Sequence, residues 1–475
     1  MKKQIFLALQ LSALAAVASC FSATTKSSPA SLSSTSQRTT TTLPPPEQRR
    51  TVASPDEELR KMQQKHRPIA ASFTPSEFNP HPALNNKHFQ TIGGVFLRKN
   101  LDCAYVEEGV GGVATALQAM ASIVLPSTSK LLGDAALGDD STNTFWDERQ
   151  RITSCCSQDF FTVDIKYASE RKTTYQSVES NGLVVLIHGL ESNSNSSLST
   201  DMAAAYLNDG LDVVCINFRG CCGTPNDTLG GYHLGFTDDL RHFLKLVSNL
   251  WDEEEELFEK RPIYLSGFSL GANMVTKCLG ELGEAAFSLY NIHGAAVCGA
   301  PLDCERNIKC LESTTFNRLV YSQNFLKTMK RRVQEQLDQY CDGDPNTTAF
   351  DYKRAMAATT IAEMENAFIA PIYGYQDNVD YYRCESCYYY LPGVAVPLYI
   401  INAGDDPFFC PEFYPMEETV DGGSLAPVKL LKTEHGGHLG FIFHQLEENE
   451  TSRGKVASWM PLELARFIRH VGESQ

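Results

Sequence analysis

The sequence predicts an α/β fold, with a mostly parallel central sheet flanked by helices and a helical insertion late in the chain. Three observations carry that expectation. Short apolar runs alternate with longer amphipathic stretches after Asn181. The runs are apolar throughout, as strands covered on both faces must be. One polar, helical stretch without strands interrupts the alternation between about 301 and 392.

The expected strands are, in order, Leu183 to Ile187, Leu211 to Ile216, Ile263 to Ser266, Ala295 to Cys298, Leu398 to Asn402 and Val428 to Leu431. Helical periodicity falls between them, over 197–209, 237–250 and 270–283, and returns over 461–471, where Pro461 suits a first helical turn. Such βαβ succession builds a parallel sheet. The interrupting segment, for example Gln323 to Tyr340, is rich in Tyr, Arg and Gln. An insertion of this kind on an α/β core is where a lid sits.

Composition narrows the function classes. A chain of 475 residues can hold one elaborated domain, and 43% hydrophobic with 10% aromatic residues exclude wholesale disorder. With 41 basic against 57 acidic residues the net charge is −16, so no excess exists to neutralise phosphates and no nucleic-acid partner is expected. The fifteen cysteines are dispersed, and Cys215 and Cys298 lie inside apolar runs. They read as core thiols, mostly reduced or inert. Cys384-x-x-Cys387 lacks a second pair at zinc spacing, so no metal site is expected, and no organic cofactor is implied because the serine, acid and histidine candidates below supply nucleophile and acid/base by themselves.

The N-terminus reads as targeting sequence. Residues 1–20 carry Lys2 and Lys3, an apolar stretch from Ile5 to Val17 and small residues up to Cys20, the pattern of a signal peptide. Residues 21–70 read as a disordered, transit-like linker, with 14 Ser or Thr among the 30 residues from Phe21 to Arg50. Together they resemble the bipartite presequence of algae with secondary plastids. Entry into the secretory pathway is expected, with either plastid or ER/secreted as destination. The folded domain is then placed at 71–475, and Asn195, Asn226, Asn346 and Asn449 are glycosylation sequons.

The chemistry concentrates in four loops. Gly267-Phe268-Ser269-Leu270-Gly271 joins an expected strand to an expected helix, the context a nucleophile elbow requires. A serine hydroxyl needs a base to take its proton, and the base needs a carboxylate to hold its tautomer. The late strands lead into Asp405-Asp406-Pro407 and into His435-Gly436-Gly437-His438, in the order serine, acid, histidine. Each loop offers two candidates, Asp405 or Asp406 and His435 or His438. The loop His188-Gly189-Leu190 after the first strand suits a second oxyanion donor, so the backbone N–H groups of Leu190 and Leu270 are the candidate hole. His188 itself, directly at a strand end, reads as a loop brace. His233 and Asp238 match an HxxxxD acyltransferase pattern, a two-residue signal for which a scaffold role is favoured, and Arg219 is placed as a brace forking onto a carboxylate.

These blocks, with Asn85 to Ile92, Asn217 to Cys221 and Tyr232-His233, resemble family 4 of the AB-hydrolase superfamily, which includes YheT-like and embryogenesis-associated hydrolases, α/β-hydrolase-domain lipases and medium-chain fatty acid ethyl ester esterases. The resemblance spans about residues 80–470. It implies an α/β-hydrolase fold, with Ser269 as nucleophile, Asp406 as acid and His438 as base. It further implies a serine hydrolase cleaving carboxylic esters of medium- or long-chain acyl groups. The substrate partner is then a small-molecule acyl ester or lipid, with peripheral membrane contact left open. Acyl transfer to an alcohol through the same residues, or a silent binding protein on the same fold, are the alternatives. Residues 104–142 form an extra insertion relative to the family, and their apolar stretch Val113 to Leu125 is too short to span a bilayer.

Overall fold

Among the described residues eight strands form one sheet. A computed structural model describes residues 57–80, 85–100, 145–155, 158–168, 180–253, 261–442 and 458–475. The expected signal peptide, the linker up to residue 56, the insertion at 104–142 and Asn449 lie outside the described residues. In chain order the elements that position the site are α1 (Glu57–Ser72), α2 (Lys87–Asn100), β1 (Glu148–Thr153), β2 (Phe160–Lys166), β3 (Leu183–Ile187), α3 (Ser197–Asn208), β4 (Asp212–Asn217), α4 (Asp238–Glu253), β5 (Ile263–Phe268), α5 (Leu270–Leu282) and β6 (Ile292–Cys298). There follow α6 (Cys304–Leu311), α7 (Gln323–Tyr340), α8 (Ile361–Ala367), α9 (Asn378–Glu385), β7 (Leu398–Ala403), β8 (Val428–Thr433) and α10 (Trp459–Ser474).

The strand order is β1-β2-β4-β3-β5-β6-β7-β8, and the sheet is mostly parallel. Only β2 opposes its neighbours, β1 and β4, and from β4 to β8 every pairing is parallel. Successive side chains on a strand point to opposite faces, so one strand feeds two cores. Val185 and Ile187 of β3 join a cluster with Phe243 of α4 and Met274 and Val275 of α5. Val184 and Leu186 join the other, with Met202 and Tyr206 of α3 and Leu464 and Phe467 of α10. Burial on both faces is why these strands are apolar throughout.

Residues 301–392 connect β6 to β7 through helices. This segment also corrects the reading of the thiols: Cys310 on α6 and Cys410 in the loop after β7 are joined by a disulfide that closes a 100-residue separation. Nothing in the spacing of fifteen dispersed cysteines singled that pair out.

The disorder expected up to residue 70 is corrected at its end, because Glu57–Ser72 is helix. Its docking is largely polar. Gln63 donates to the carbonyls of Pro392 and Val394 at 2.8 and 3.0 Å, and the buried His66 ring pairs with the Ala395 carbonyl at 2.8 Å. A helix whose inward face includes Gln and His gives a weak hydropathy signal. The sequon at Asn226 is also corrected, since that side chain is buried and donates to Asp159 at 3.0 Å, where no glycan fits on the folded chain.

Candidate active site

The elbow forms where β5 meets α5. Ser269 sits at φ +55°, ψ −121°, a conformation that costs a non-glycine residue and persists only when its surroundings impose it. Its N–H donates to the Cys298 carbonyl at the end of β6, at 2.9 Å. Small neighbours permit the turn. A methyl on Gly267 would lie 2.7 Å from the Gly271 carbonyl oxygen, and one on Gly189 would lie 3.2 Å from Cβ of Ser269.

The loops after β7 and β8 bring two of the four candidate acid and base residues to the serine. His438 Nε2 lies 3.0 Å from Ser269 Oγ, and His438 Nδ1 lies 2.8 Å from Asp406 Oδ2. The other carboxylate oxygen of Asp406 accepts the Phe408 N–H at 2.8 Å. The Phe408 ring packs 4.2 Å from the His438 ring, centroid to centroid, and both His438 and Asp406 are buried. This geometry can move a proton from hydroxyl to imidazole while a fixed carboxylate faces the other nitrogen.

Asp405 and His435 form a separate pair. Asp405 accepts the Gly437 N–H at 2.9 Å and faces His435 Nδ1 at 3.5 Å. Burial raises the Asp405 carboxyl above its usual range, partly offset by these partners. They brace the histidine loop and make no contact with the serine among the hydrogen bonds of the described residues.

Leu270 is the first residue of α5, and the first N–H groups of a helix have no intrahelical acceptor. Leu190 follows Gly189, which packs on Ser269, so both candidate oxyanion donors flank the serine. His188 holds this loop from the sheet side: Nδ1 donates to the Gly189 carbonyl at 2.8 Å and Nε2 accepts the Phe218 N–H at 3.2 Å. Burial lowers its pKa to about 4, so the ring is neutral near pH 7.

No hydrogen bond or ion pair joins the two residues of the acyltransferase pattern among the described residues. His233 is buried against Tyr373 and Tyr381 and burial lowers its pKa to about 3, whereas Asp238 is exposed on the first turn of α4. Arg219 forks onto Asp239 at 2.8 and 2.6 Å, the bracing geometry its position suggested.

Two positioning residues escaped the motif reading. Thr91 Oγ1 accepts the His438 N–H at 2.8 Å while donating to the Lys87 carbonyl at 2.7 Å. The Gln90 amide brackets Ile442, donating to its carbonyl at 3.1 Å and accepting its N–H at 3.0 Å. Both belong to the Asn85–Ile92 block, whose presence among the family-like blocks was the available signal.

A cavity of about 460 Å³ opens over Ser269 and His438, within the size range of small-molecule sites. Its walls are mainly apolar, with Ile92, Leu190, Val320, Phe325, Met329 and Phe408 among them, and α6, α7 and α8 supply much of the roof. Glu365 on α8 also lines it, accepting the Tyr382 hydroxyl, and burial raises its pKa to about 7.

Comparison with known proteins agrees with this architecture. Residues 182–445 match a family described as alpha/beta hydrolase fold. The Escherichia coli protein YheT is 34% identical over 260 residues, covering 54% of this chain and 70% of its own length. A monoacylglycerol lipase of Saccharomyces cerevisiae is 26% identical over 344 residues, covering 71% of this chain and 70% of its own length. A medium-chain fatty acid ethyl ester synthase/esterase of the same yeast is 25% identical over 279 residues, covering 55% and 58%.

Proposed function

The chain belongs to the alpha/beta hydrolase fold family as an esterase- and lipase-like member, and from that premise we propose that it cleaves carboxylic esters of medium- or long-chain acyl groups through Ser269, His438 and Asp406. The observation that carries the reading is the continuous relay from Ser269 Oγ through His438 to Asp406, at 3.0 and 2.8 Å.

The steps follow from that geometry. His438 Nε2 takes the Ser269 proton as Oγ attacks the acyl carbonyl, and Asp406 stabilises the imidazolium without accepting its proton. The N–H groups of Leu190 and Leu270 hold the oxyanion. As the tetrahedral intermediate collapses, His438 protonates the departing alcohol and leaves an acyl-serine. Water then enters and attacks the acyl carbonyl while giving a proton to His438, and as the second tetrahedral intermediate collapses His438 returns that proton to Ser269 Oγ and the acid departs. The apolar cavity supports an acyl chain as the group bound, and the names of the yeast relatives support monoacylglycerol-like or simple fatty esters. Peripheral contact with a lipid surface is part of this proposal, as the route by which such esters reach the cavity.

The experiment is a panel of monoacylglycerols and ethyl esters from four to eighteen carbons, followed by release of free acid. The reading expects turnover that peaks at medium or long chains and disappears in Ser269→Ala. Hydrolysis confined to short acetyl esters, or retained by Ser269→Ala, would remove it.

A further inference from the structure

Glu191 follows Leu190 in the loop after β3, and its backbone lies at φ +51°, where a residue other than glycine needs outside support. That support comes from two distant parts of the chain. The Tyr232 hydroxyl accepts the Glu191 N–H at 2.8 Å and donates to Glu191 Oε1 at 3.0 Å. Arg332, on α7 of the helical insertion, donates from Nη1 to the same Oε1 at 2.7 Å and from Nη2 to the Arg219 carbonyl at 3.0 Å. Its guanidinium carbon lies 4.4 Å from the centroid of the Tyr232 ring. The Arg332 and Glu191 side chains are only 15% and 17% exposed, so solvent screens their attraction far less than at an open surface.

We propose that Arg332 is a positioning residue for ester hydrolysis. By fixing the Glu191 carboxylate it holds the Gly189–Ser192 turn, and thereby keeps the Leu190 N–H aimed at the charge that develops above Ser269. The inference rests on the serine mechanism proposed above and assigns a task to the helical insertion within it. His188 anchors the turn at the Gly189 carbonyl, but the turn's own closing bond, from the Ser192 N–H to that carbonyl, is long at 3.3 Å, so its far side depends on the contacts made through Glu191. An oxyanion donor works only within about 2.7–3.1 Å of its target, so a small tilt of this loop is enough to lose it. Lysine is a poor substitute for the arginine, because the planar fork reaches two acceptors while stacking on Tyr232 and a single ammonium on a flexible stem does not reproduce that geometry.

The test compares wild type with Arg332→Met, Arg332→Lys, Glu191→Gln and the double variant Glu191→Gln/Arg332→Met on p-nitrophenyl octanoate. Octaneboronic acid, which forms a tetrahedral adduct on an active serine, and octanamide, a planar ground-state mimic, serve as inhibitors. The expected result for Arg332→Met is a kcat lowered roughly 10- to 100-fold with KM nearly unchanged, because the lost interaction acts mainly in the transition state. The inhibition constant for octaneboronic acid rises by a similar factor while that for octanamide stays within about twofold. Arg332→Lys recovers part of the rate, and the double variant is no worse than Arg332→Met because both substitutions cut the same contact.

Unchanged kcat in both Arg332→Met and Glu191→Gln would overturn the proposal. Equal weakening of both inhibitors would overturn it too, since that pattern reports general loosening of the site. Should Arg332→Met fail to fold, Arg332→Lys and Glu191→Gln carry the same comparison. Fluorophosphonate labelling of the wild-type chain separates the two levels: no adduct at Ser269 sinks the serine mechanism, whereas normal labelling with an indifferent Arg332 sinks this inference alone.

Discussion

Replacing Asp406 by Asn tests the relay at its most buried member. In the native site one carboxylate oxygen accepts the Phe408 N–H at 2.8 Å and the other faces His438 Nδ1 at 2.8 Å. A carboxamide has a single acceptor oxygen, and the Phe408 backbone donor cannot move away. The oxygen therefore stays with Phe408 and the NH₂ group turns to Nδ1, which puts the imidazole proton on Nε2, facing the serine. Reversing the amide would leave a buried donor unpaired, at about 1–3 kcal/mol. The charge is lost as well. An imidazolium and a carboxylate with charge centres about 4 Å apart attract by about 4 kcal/mol at an effective dielectric constant of 20. Together these remove about 5–7 kcal/mol from the transition state, or about 10⁴–10⁵ in kcat. The assay is kcat and KM on p-nitrophenyl octanoate, with Asp405→Asn as control. KM should hardly change in Asp406→Asn, and Asp405→Asn should lose less than about tenfold, because its partners are Gly437 and His435. Equal losses in the two variants, or an Asp406→Asn enzyme within about tenfold of wild type, would refute the reasoning.

Acid should destabilise the fold through its buried histidines. His188 and His233 have pKa values lowered to about 4 and about 3, against about 6.5 unfolded, so the unfolded chain binds protons that the native chain refuses. The stability they preserve is intact above about pH 6.5 and drains as pH falls, at about 1.4 kcal/mol per pH unit for each ring, until the folded pKa is reached. His233→Phe should remove one ring's share of that slope in urea midpoints measured from pH 6.5 to 4.5, and an unchanged slope would contradict the assignment. Filling the cavity with Met329→Trp should lower kcat/KM for long acyl chains at least tenfold while sparing butyrate within about twofold. A parallel loss at every chain length would instead mean general damage.

The strands from β3 to β8 were readable because burial on both faces forces apolar runs, and observed boundaries differ from expected ones mainly at the ends. β1 was not readable. Its sequence Glu-Arg-Gln-Arg-Ile-Thr looks like a loop, and it becomes an edge strand because Arg149 forks onto Asp164 of β2 at 2.8 and 2.9 Å. The docking of α1 was hidden for a related reason, since Gln63 and His66 bond to carbonyls more than three hundred residues away in the chain. At the candidate site, loop chemistry delivered two aspartates and two histidines without ranking them. Their ranking depends on how β7 and β8 aim the loops, which turns Asp405 toward Gly437 and leaves Asp406 facing His438. The contact between Glu191 and Arg332, 141 positions apart, follows from the path of the helical insertion and has no local signature.

The most direct measurement of the central claim is the site and rate of phosphonylation. The purified chain is treated with a fluorophosphonate, digested and sequenced by mass spectrometry, alongside His438→Gln. A single adduct on Ser269, formed at least a thousandfold more slowly in a folded His438→Gln variant, is the predicted result. An adduct on another residue, or equal labelling rates in the two proteins, would contradict a serine activated by that imidazole.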